Sequence, residues 1–295
     1  MTKLAVILPT HNRASYLDKA LENLSKCSGF EEIIVVNDSS TDDTEIVVKK
    51  WSPHFKMKYL VNAKRLGTPC SFNKAVAHSS SDLVFFTADD LVFPDNNFFV
   101  RVKRRFNREE IGIVGCKVVG NPKPIPREPS IRRFRAWKDS KIPAFLTNLK
   151  KLEGSTSGFV NVKRAYVTGA MAVRRSLCNR VKFNLDYEGN CNYEEQDFQK
   201  KVHDLGYMIF YDSSLIIEHK EAASGGHRQL AEREYAYWHF RNRTIYLLKH
   251  SKWRLLFFPL LHILRNKFFR LYPKTFLTAC LHGFKVGISR GREIA

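Results

Sequence analysis

Acidic residues are scarce in this chain: 29 Asp+Glu stand against 49 Lys+Arg, a formal net charge of +20 with histidine neutral. That imbalance favours anionic partners such as phosphorylated small molecules, nucleic acid or an anionic membrane surface. Glycine (15) and proline (11) are too few for a collagen-like or linker-dominated chain. The six cysteines (Cys27, Cys70, Cys116, Cys178, Cys191 and Cys280) form no CxxC pair and no Cys/His zinc spacing. They read as buried or free thiols in a reducing compartment. Long apolar runs are missing too. The most apolar late stretch, Trp253 to Leu264, has 12 residues and contains Arg254, Pro259 and His262, too short and too charged to span a bilayer. The amino terminus enters strand-like sequence without the apolar run and cleavage site of a signal peptide. The expected setting is the cytoplasm, with access to the inner face of the membrane.

What is present is an ordinary globular composition, 44% apolar, 13% aromatic and 26% charged over 295 residues, which excludes wholesale disorder. A chain of this length buries roughly three quarters of the surface its unfolded form exposes and needs no disulfide or metal to hold a core. Continuous apolar runs at residues 4–8, 32–36, 57–61 and 83–86 predict buried strands. Between them Ser15–Cys27, a short stretch after Thr44, and Thr68–His78 predict helices. This alternation predicts an α/β fold of βαβ units, with a mostly parallel sheet flanked by helices on both faces. In such sheets ligands bind outside the carboxyl ends of the strands. Residues 121–129 are proline-rich and begin a basic stretch, to about Ser157, that predicts a long loop; regular patterning resumes from Tyr166 to about Glu218 and turns helical from Leu230.

The polar clusters all follow predicted strands. The first strand runs into Pro9-Thr10-His11-Asn12-Arg13, which offers a hydroxyl, an amide and a guanidinium to an anion, or merely a turn and a helix cap. The second ends in Asn37-Asp38-Ser39-Ser40-Thr41-Asp42-Asp43-Thr44, where an acid can accept from ribose hydroxyls or a base N–H, or simply close a turn. The fourth ends in Phe86-Thr87-Ala88-Asp89-Asp90, two adjacent carboxylates that repel unless a cation or strong donors compensate. A divalent metal bridging to a diphosphate suits them; a solvated turn before Pro94 is the plainer alternative.

The ordered series VILPTHNR, IIVVNDSSTDDT, NAKRLGTPCSFNKA and VFFTADD resembles the nucleotide-sugar domain of family 2 glycosyltransferases, which have the GT-A fold. The resemblance implies donor-binding roles for Pro9, Thr10, Asn12, Arg13, Asn37, Asp38, Arg65, Gly67, Asn73 and Asp89. It also implies a metal site, for Mg²⁺ or Mn²⁺, at Asp89 with Asp90 and His219. Thr87 stands where the family's Asp-x-Asp motif has its first aspartate. Further on, Val167-Thr168-Gly169-Ala170-Met171 resembles the segment that opens the acceptor side, which implies that role for Gly169 and Ala170 and also for Asp197. Asn192-Tyr193-Glu194-Glu195-Gln196-Asp197-Phe198 resembles the family's acidic pair at a helix start, with Glu195 in the catalytic-base position and Glu194 its neighbour. The chemical need is independent of the resemblance, because an acceptor hydroxyl must lose a proton as it attacks the anomeric carbon. First-turn acids that merely stabilise the helix are the alternative.

The implied organisation is a catalytic domain over 1–225, with nucleotide-sugar binding in 1–115 and the acceptor side in 116–225, followed by a basic helical tail over 226–295. The implied activity is inverting transfer from a nucleoside-diphosphate sugar to a glycan or lipid-linked acceptor. From Lys220 to Ala295 there are 15 basic and 4 acidic residues, so this stretch carries +11 and the other 219 residues +9. Arg241-Asn242-Arg243 with Lys249-His250 resembles the region after the catalytic motif in membrane-associated family members. Amphipathic helices here would bind an anionic surface, through residues such as Trp253, Leu256, Phe257 and Phe268, or pack on the core. Two rival readings are a catalytically inactive sugar-nucleotide-binding relative, which would explain Thr87, and a nucleic-acid-binding protein. The basic residues match no nucleic-acid module, so nucleic acid is not expected as a partner.

Overall fold

The structure, a computed structural model, describes residues 2–120, 150–151, 157–160, 165–167, 170–220, 230–250 and 272–289. In chain order the first elements are β1 (Leu4–Thr10), α1 (Ala14–Ser25), β2 (Glu32–Asn37), α2 (Thr44–Trp51), β3 (Met57–Val61), α3 (Thr68–His78) and β4 (Leu83–Phe86). Next come β5 (Leu91–Val92), α4 (Phe98–Arg104), β6 (Ile111–Val119), β7 (Lys150–Lys151), β8 (Gly158–Phe159), β9 (Ala165–Tyr166), β10 (Met171–Arg174) and α5 (Arg175–Arg180). The last are α6 (Glu194–Asp204), β11 (Met208–His219), α7 (Glu232–His250) and α8 (Pro273–Ser289). The bounds of β3, α3 and β4 coincide with those read from the sequence pattern.

The main sheet has the order β3-β2-β1-β4-β10-β6-β11-β5, with β8 added against β11. Its first half is parallel throughout, β1 pairing with both β2 and β4 and β2 with β3. Its second half is mixed: β10 runs antiparallel to β4 and β6, while β6 and β11 are parallel. Alternation along the strands explains why both faces are buried. Leu4, Val6 and Leu8 of β1 face a core with Leu17, Leu21 and Leu24 of α1 and Phe98, Phe99 and Val102 of α4. Ala5 and Ile7 face a second core with Phe72, Ala75 and Val76 of α3 and Phe198 and Val202 of α6. Aromatic rings seal each face; Phe183 stacks on Phe198 at 4.3 Å, and Phe85 meets Phe98 edge-on at 5.6 Å.

The chain divides into two compact units rather than at a single boundary. The sheet and its helices form one, over residues 1–123, 149–183 and 195–228; the other comprises 124–148, 184–194 and 229–295. Within the second unit α7 and α8 pack on one another. Gly283 lies so close to α7 that a Cβ there would meet the Arg241 carbonyl at 2.5 Å, and Phe240 meets Phe276 edge-on at 4.8 Å. Leu277, Leu281, Phe284 and Ile288 of α8 remain exposed. The proposed membrane-facing positions within 253–271 and the long loop at 121–149 lie outside the described residues.

Candidate active site at the carboxyl edge of the sheet

Parallel pairing delivers the ends of β1, β2 and β4 to one edge. β1 ends in Thr10, whose carbonyl accepts from Asp38 N–H at 2.9 Å, and Thr87 N–H donates to Ile7 at 3.1 Å. Asp89 and Asp90 therefore begin beside the end of β1, and both are buried along with Thr87, which excludes a solvated turn. Thr10 Oγ1 donates to Asp89 Oδ2 at 2.7 Å, and Arg13 Nη1 donates to Asp89 Oδ1 at 2.8 Å, with Asp90 Oδ2 3.5 Å away. Antiparallel pairing of β11 with β5 carries His219 to the same place, its Nε2 3.3 Å from Asp90 Oδ2. Burial pushes the pKa of Asp89 up; the Arg13 charge opposes this, the Asp90 charge adds to it, and hydrogen bonds from Arg13 and Thr10 oppose it further.

The end of β2 is built differently. The Asp38 carboxylate accepts from Asn62 Nδ2 at 2.9 Å and from the N–H groups of Leu66 and Gly67 at 2.8 Å each. It thereby folds the loop that carries Arg65, which is exposed, into the left-handed Gly67 (φ +81°) at the start of α3. Asn37 donates to the Tyr59 hydroxyl at 2.7 Å and accepts from Ser40 N–H at 2.7 Å. Asn12, left-handed at φ +51°, accepts from Thr41 N–H at 2.8 Å and so ties the ends of β1 and β2 together. Thr10 and Asn12 do not cap α1, which has no side-chain cap. Pro9 precedes them, half-buried in β1.

Three expected site residues have interior surroundings or partners. Asn73 spends its amide on Phe183, donating to its carbonyl at 2.8 Å and accepting from its N–H at 2.9 Å, because α3 must anchor that segment. Ala170 is wholly buried in the core beneath the sheet, so its side chain packs rather than faces an acceptor. Asp197 is wholly buried on α6 and pairs with Lys201 one turn later at 2.5 Å, the i,i+4 geometry of a helix-stabilising pair. Glu194 and Glu195 are half-buried in the first turn of α6. Gly169 lies outside the described residues. Asn62 was missed: its buried amide links Asp38, Ser71 and Lys74, but an asparagine in a polar loop carries no sequence signal for this.

A divalent cation fits the edge by the chemistry of its donors. Two adjacent carboxylates already share one cationic group there, the Arg13 guanidinium, and the His219 imidazole lies beside Asp90. Among the described residues no three Asp, Glu, His or Cys form a ready-made metal cage. Mg²⁺ or Mn²⁺ at this edge would need phosphate oxygens as further ligands, which such ions commonly take. Thr87 Oγ1, where a first aspartate would stand, is buried without a hydrogen-bond partner.

The family model for glycosyl transferase family 2 matches residues 5–181, more than half of the chain. The chain belongs to glycosyl transferase family 2. It is 36% identical over 93 residues to the GalNAc(5)-diNAcBac-PP-undecaprenol beta-1,3-glucosyltransferase of Campylobacter jejuni, a match covering 30% of each chain. It is 28% identical over 99 residues to the abequosyltransferase RfbV of Salmonella typhimurium, covering 32% of this chain and 30% of that one. The matched stretch thus spans less than a third of either relative. Among solved structures it is similar to S. aureus TarS 1-349 in complex with UDP-GlcNAc, with TM-score 0.63 and 20% identity over 94% of this chain and 79% of that one. It is likewise similar to the mannosyltransferase PcManGT of Pyrobaculum calidifontis in complex with GDP-Man and Mn²⁺, with TM-score 0.57 and 21% identity over 95% and 73% of the two chains. These likenesses bear out the GT-A fold.

Proposed function

We propose that this glycosyltransferase is an inverting enzyme that moves a sugar from a nucleoside-diphosphate sugar to a glycan or lipid-linked acceptor. The observation that carries the reading is the convergence of Thr10, Arg13, Asp89, Asp90 and His219 on one sheet edge. That cluster suits a diphosphate and a divalent cation. Bound at Asp89 with Asp90 and His219, Mg²⁺ or Mn²⁺ would supply Lewis-acid stabilisation of a departing nucleoside diphosphate. Arg13 can turn its guanidinium from Asp89 toward a phosphate, for which its fork geometry is suited. Glu195 takes the proton of the acceptor hydroxyl as general base. Glu194, beside it, keeps that helix start anionic.

The names of the relatives support the substrate class. One acts on an undecaprenol-linked acceptor, and the solved neighbours hold UDP-GlcNAc or GDP-Man. A lipid-linked acceptor and a charge of +20 together suit peripheral work at an anionic membrane face; among the described residues no helix is long and apolar enough to cross it. The test is thermal stabilisation by a panel of UDP- and GDP-sugars with and without Mn²⁺, since a ligand that binds only the folded state raises its melting temperature. Metal-dependent stabilisation by one donor, followed by release of its nucleoside diphosphate, is the expected result. No stabilisation by any donor would overturn the reading.

A further inference from the structure

α8 is apolar on two sides. On one, Phe276 and Gly283 are buried against α7, and Gly287 lies so close that a Cβ there would come within 2.7 Å of the Leu248 side chain. On the other, Leu277, Leu281, Phe284 and Ile288 are between 44% and 59% exposed. Steps of four, three and four residues gather these side chains into one stripe, within an arc of about 60° at the ~100° per residue of a helix. A helix that packs on one neighbour needs a single apolar face and a polar one away from it. α8 gives its solvent side to four large apolar residues instead, and it contains no acidic residue.

The polar residues beside the stripe are basic or neutral. Lys274, Thr278 and Lys285 are exposed along one flank, next to His282, whose Nδ1 shares a hydrogen bond with the Tyr237 hydroxyl. Residues 251–295 hold nine Lys or Arg and a single acid, Glu293. Not every tail cation is available to a partner. Arg241 of α7 is buried, its Nη1 donating to the Asp186 carbonyl at 2.7 Å, and Lys249 Nζ lies 3.2 Å from Asp186 Oδ2. Lys274 and Lys285 are exposed beside the stripe itself.

A partner that covers this surface must meet apolar side chains and cations together. A second copy of the chain would bring the same cations to the contact and repel. The four side chains also offer only on the order of 400 Å², about half of what each partner gives to a standard dimer. An anionic lipid surface meets both demands, because its acyl boundary takes an apolar helix face while its phosphates take the basic flank.

We propose that the face of α8 formed by Leu277, Leu281, Phe284 and Ile288 is a docking surface for an anionic bilayer, with Lys274 and Lys285 against the lipid phosphates. Because α8 is already packed on α7, docking needs no folding of the helix on the lipid, and the ordering cost of a disordered anchor is absent. The surface serves the membrane setting proposed above and is independent of the sugar chemistry.

The test uses the full chain with no donor or acceptor present, so that failure of the transferase reading leaves it untouched. Co-sedimentation is measured with phosphatidylcholine vesicles and with vesicles of rising phosphatidylglycerol content, at low and high salt. The wild type is expected to bind the anionic vesicles and to be released in part by salt. Leu281→Ser combined with Phe284→Ser, which conserves charge at exposed positions, should weaken partitioning about 10-fold or more at either salt level. Lys274→Gln combined with Lys285→Gln should weaken it about 10-fold at low salt and little at high salt. Should the serine pair not fold, Leu277→Ser combined with Ile288→Ser takes its place. Equal binding of wild type and serine pair would overturn the proposal, as would a wild type that binds no vesicle. Sedimentation velocity without lipid supplies the last outcome: a wild-type dimer that the serine pair dissociates would assign the stripe to a second copy and overturn it as well.

Discussion

Asp38 and Asp89 are buried carboxylates on the same sheet edge, one after β2 and one after β4, and their charges are compensated in opposite ways. Asp38 is held by neutral donors built into the chain, the amide of Asn62 and two backbone N–H groups. These cannot leave without unfolding the loop they belong to. Asp89 is held chiefly by a guanidinium at the end of a long side chain, with a like charge next to it in Asp90. On the function proposed above, a bound cation would take the place of that partner. The first carboxylate thus holds its own loop in place, whereas the second, on that function, would meet the ligand.

Replacing each carboxylate by its amide tests the contrast, and the largest effect is expected at Asp89. Asp89→Asn should lower transfer by about 10³-fold, the scale of losing one preorganised electrostatic group. It should also abolish metal-dependent donor binding without lowering the melting temperature, because it removes a buried charge beside Asp90. A lowered melting temperature would show Asp89 to be a second anchor. Asp38→Asn should do the reverse in kind, costing about 2–3 kcal/mol of stability as two N–H groups lose part of a charged acceptor. Chemical denaturation at neutral pH measures it; an unchanged midpoint would mean that the Asn62–Gly67 loop stands by itself.

The smallest effect is expected at a third carboxylate, Glu32, at the opposite end of β2. Burial alone would raise its pKa, but hydrogen bonds from Ser79, Ser81 and Ser80 and the Lys58 charge outweigh it, and the net shift is downward. A folded pKa below the unfolded value of about 4.3 gives stability that is present above that value and lost as pH falls through the folded one. Glu32→Gln should therefore cost about 1–2 kcal/mol at pH 7, with the difference from wild type closing below about pH 4. A difference that stayed constant with pH would assign the effect to shape rather than charge.

Much of this edge was legible in the sequence because parallel strands buried on both faces leave continuous apolar runs, and the polar residue that ends each run must lie at the edge. Thr10, Asp38 and Asp89 could be placed that way. The second half of the sheet could not, since the insertion of β10 between β4 and β6 is a pairing across the chain that no local pattern encodes. Asn73 and Asp197 matched a motif while their side chains were needed for packing. Arg241 escaped for a related reason: an arginine in a basic tail counts as surface charge until its carbonyl partner is seen. Its backbone acceptor, the Asp186 carbonyl, precedes it by more than fifty residues and is a group that any sequence would supply.

The pairing of β11 with β5 has a consequence for how this protein comes into being. Residues 4–86 can gather the parallel half of the sheet through neighbouring βαβ contacts, but His219 reaches Asp90 only when a strand about 130 residues later closes a long loop, a contact of the slow kind. A nascent or partly refolded chain can therefore hold Thr10, Arg13 and Asp89 in place before the imidazole arrives. Ligand affinity should then appear in two stages during refolding, with nucleotide retained first and metal coupling gained only as the last strand docks.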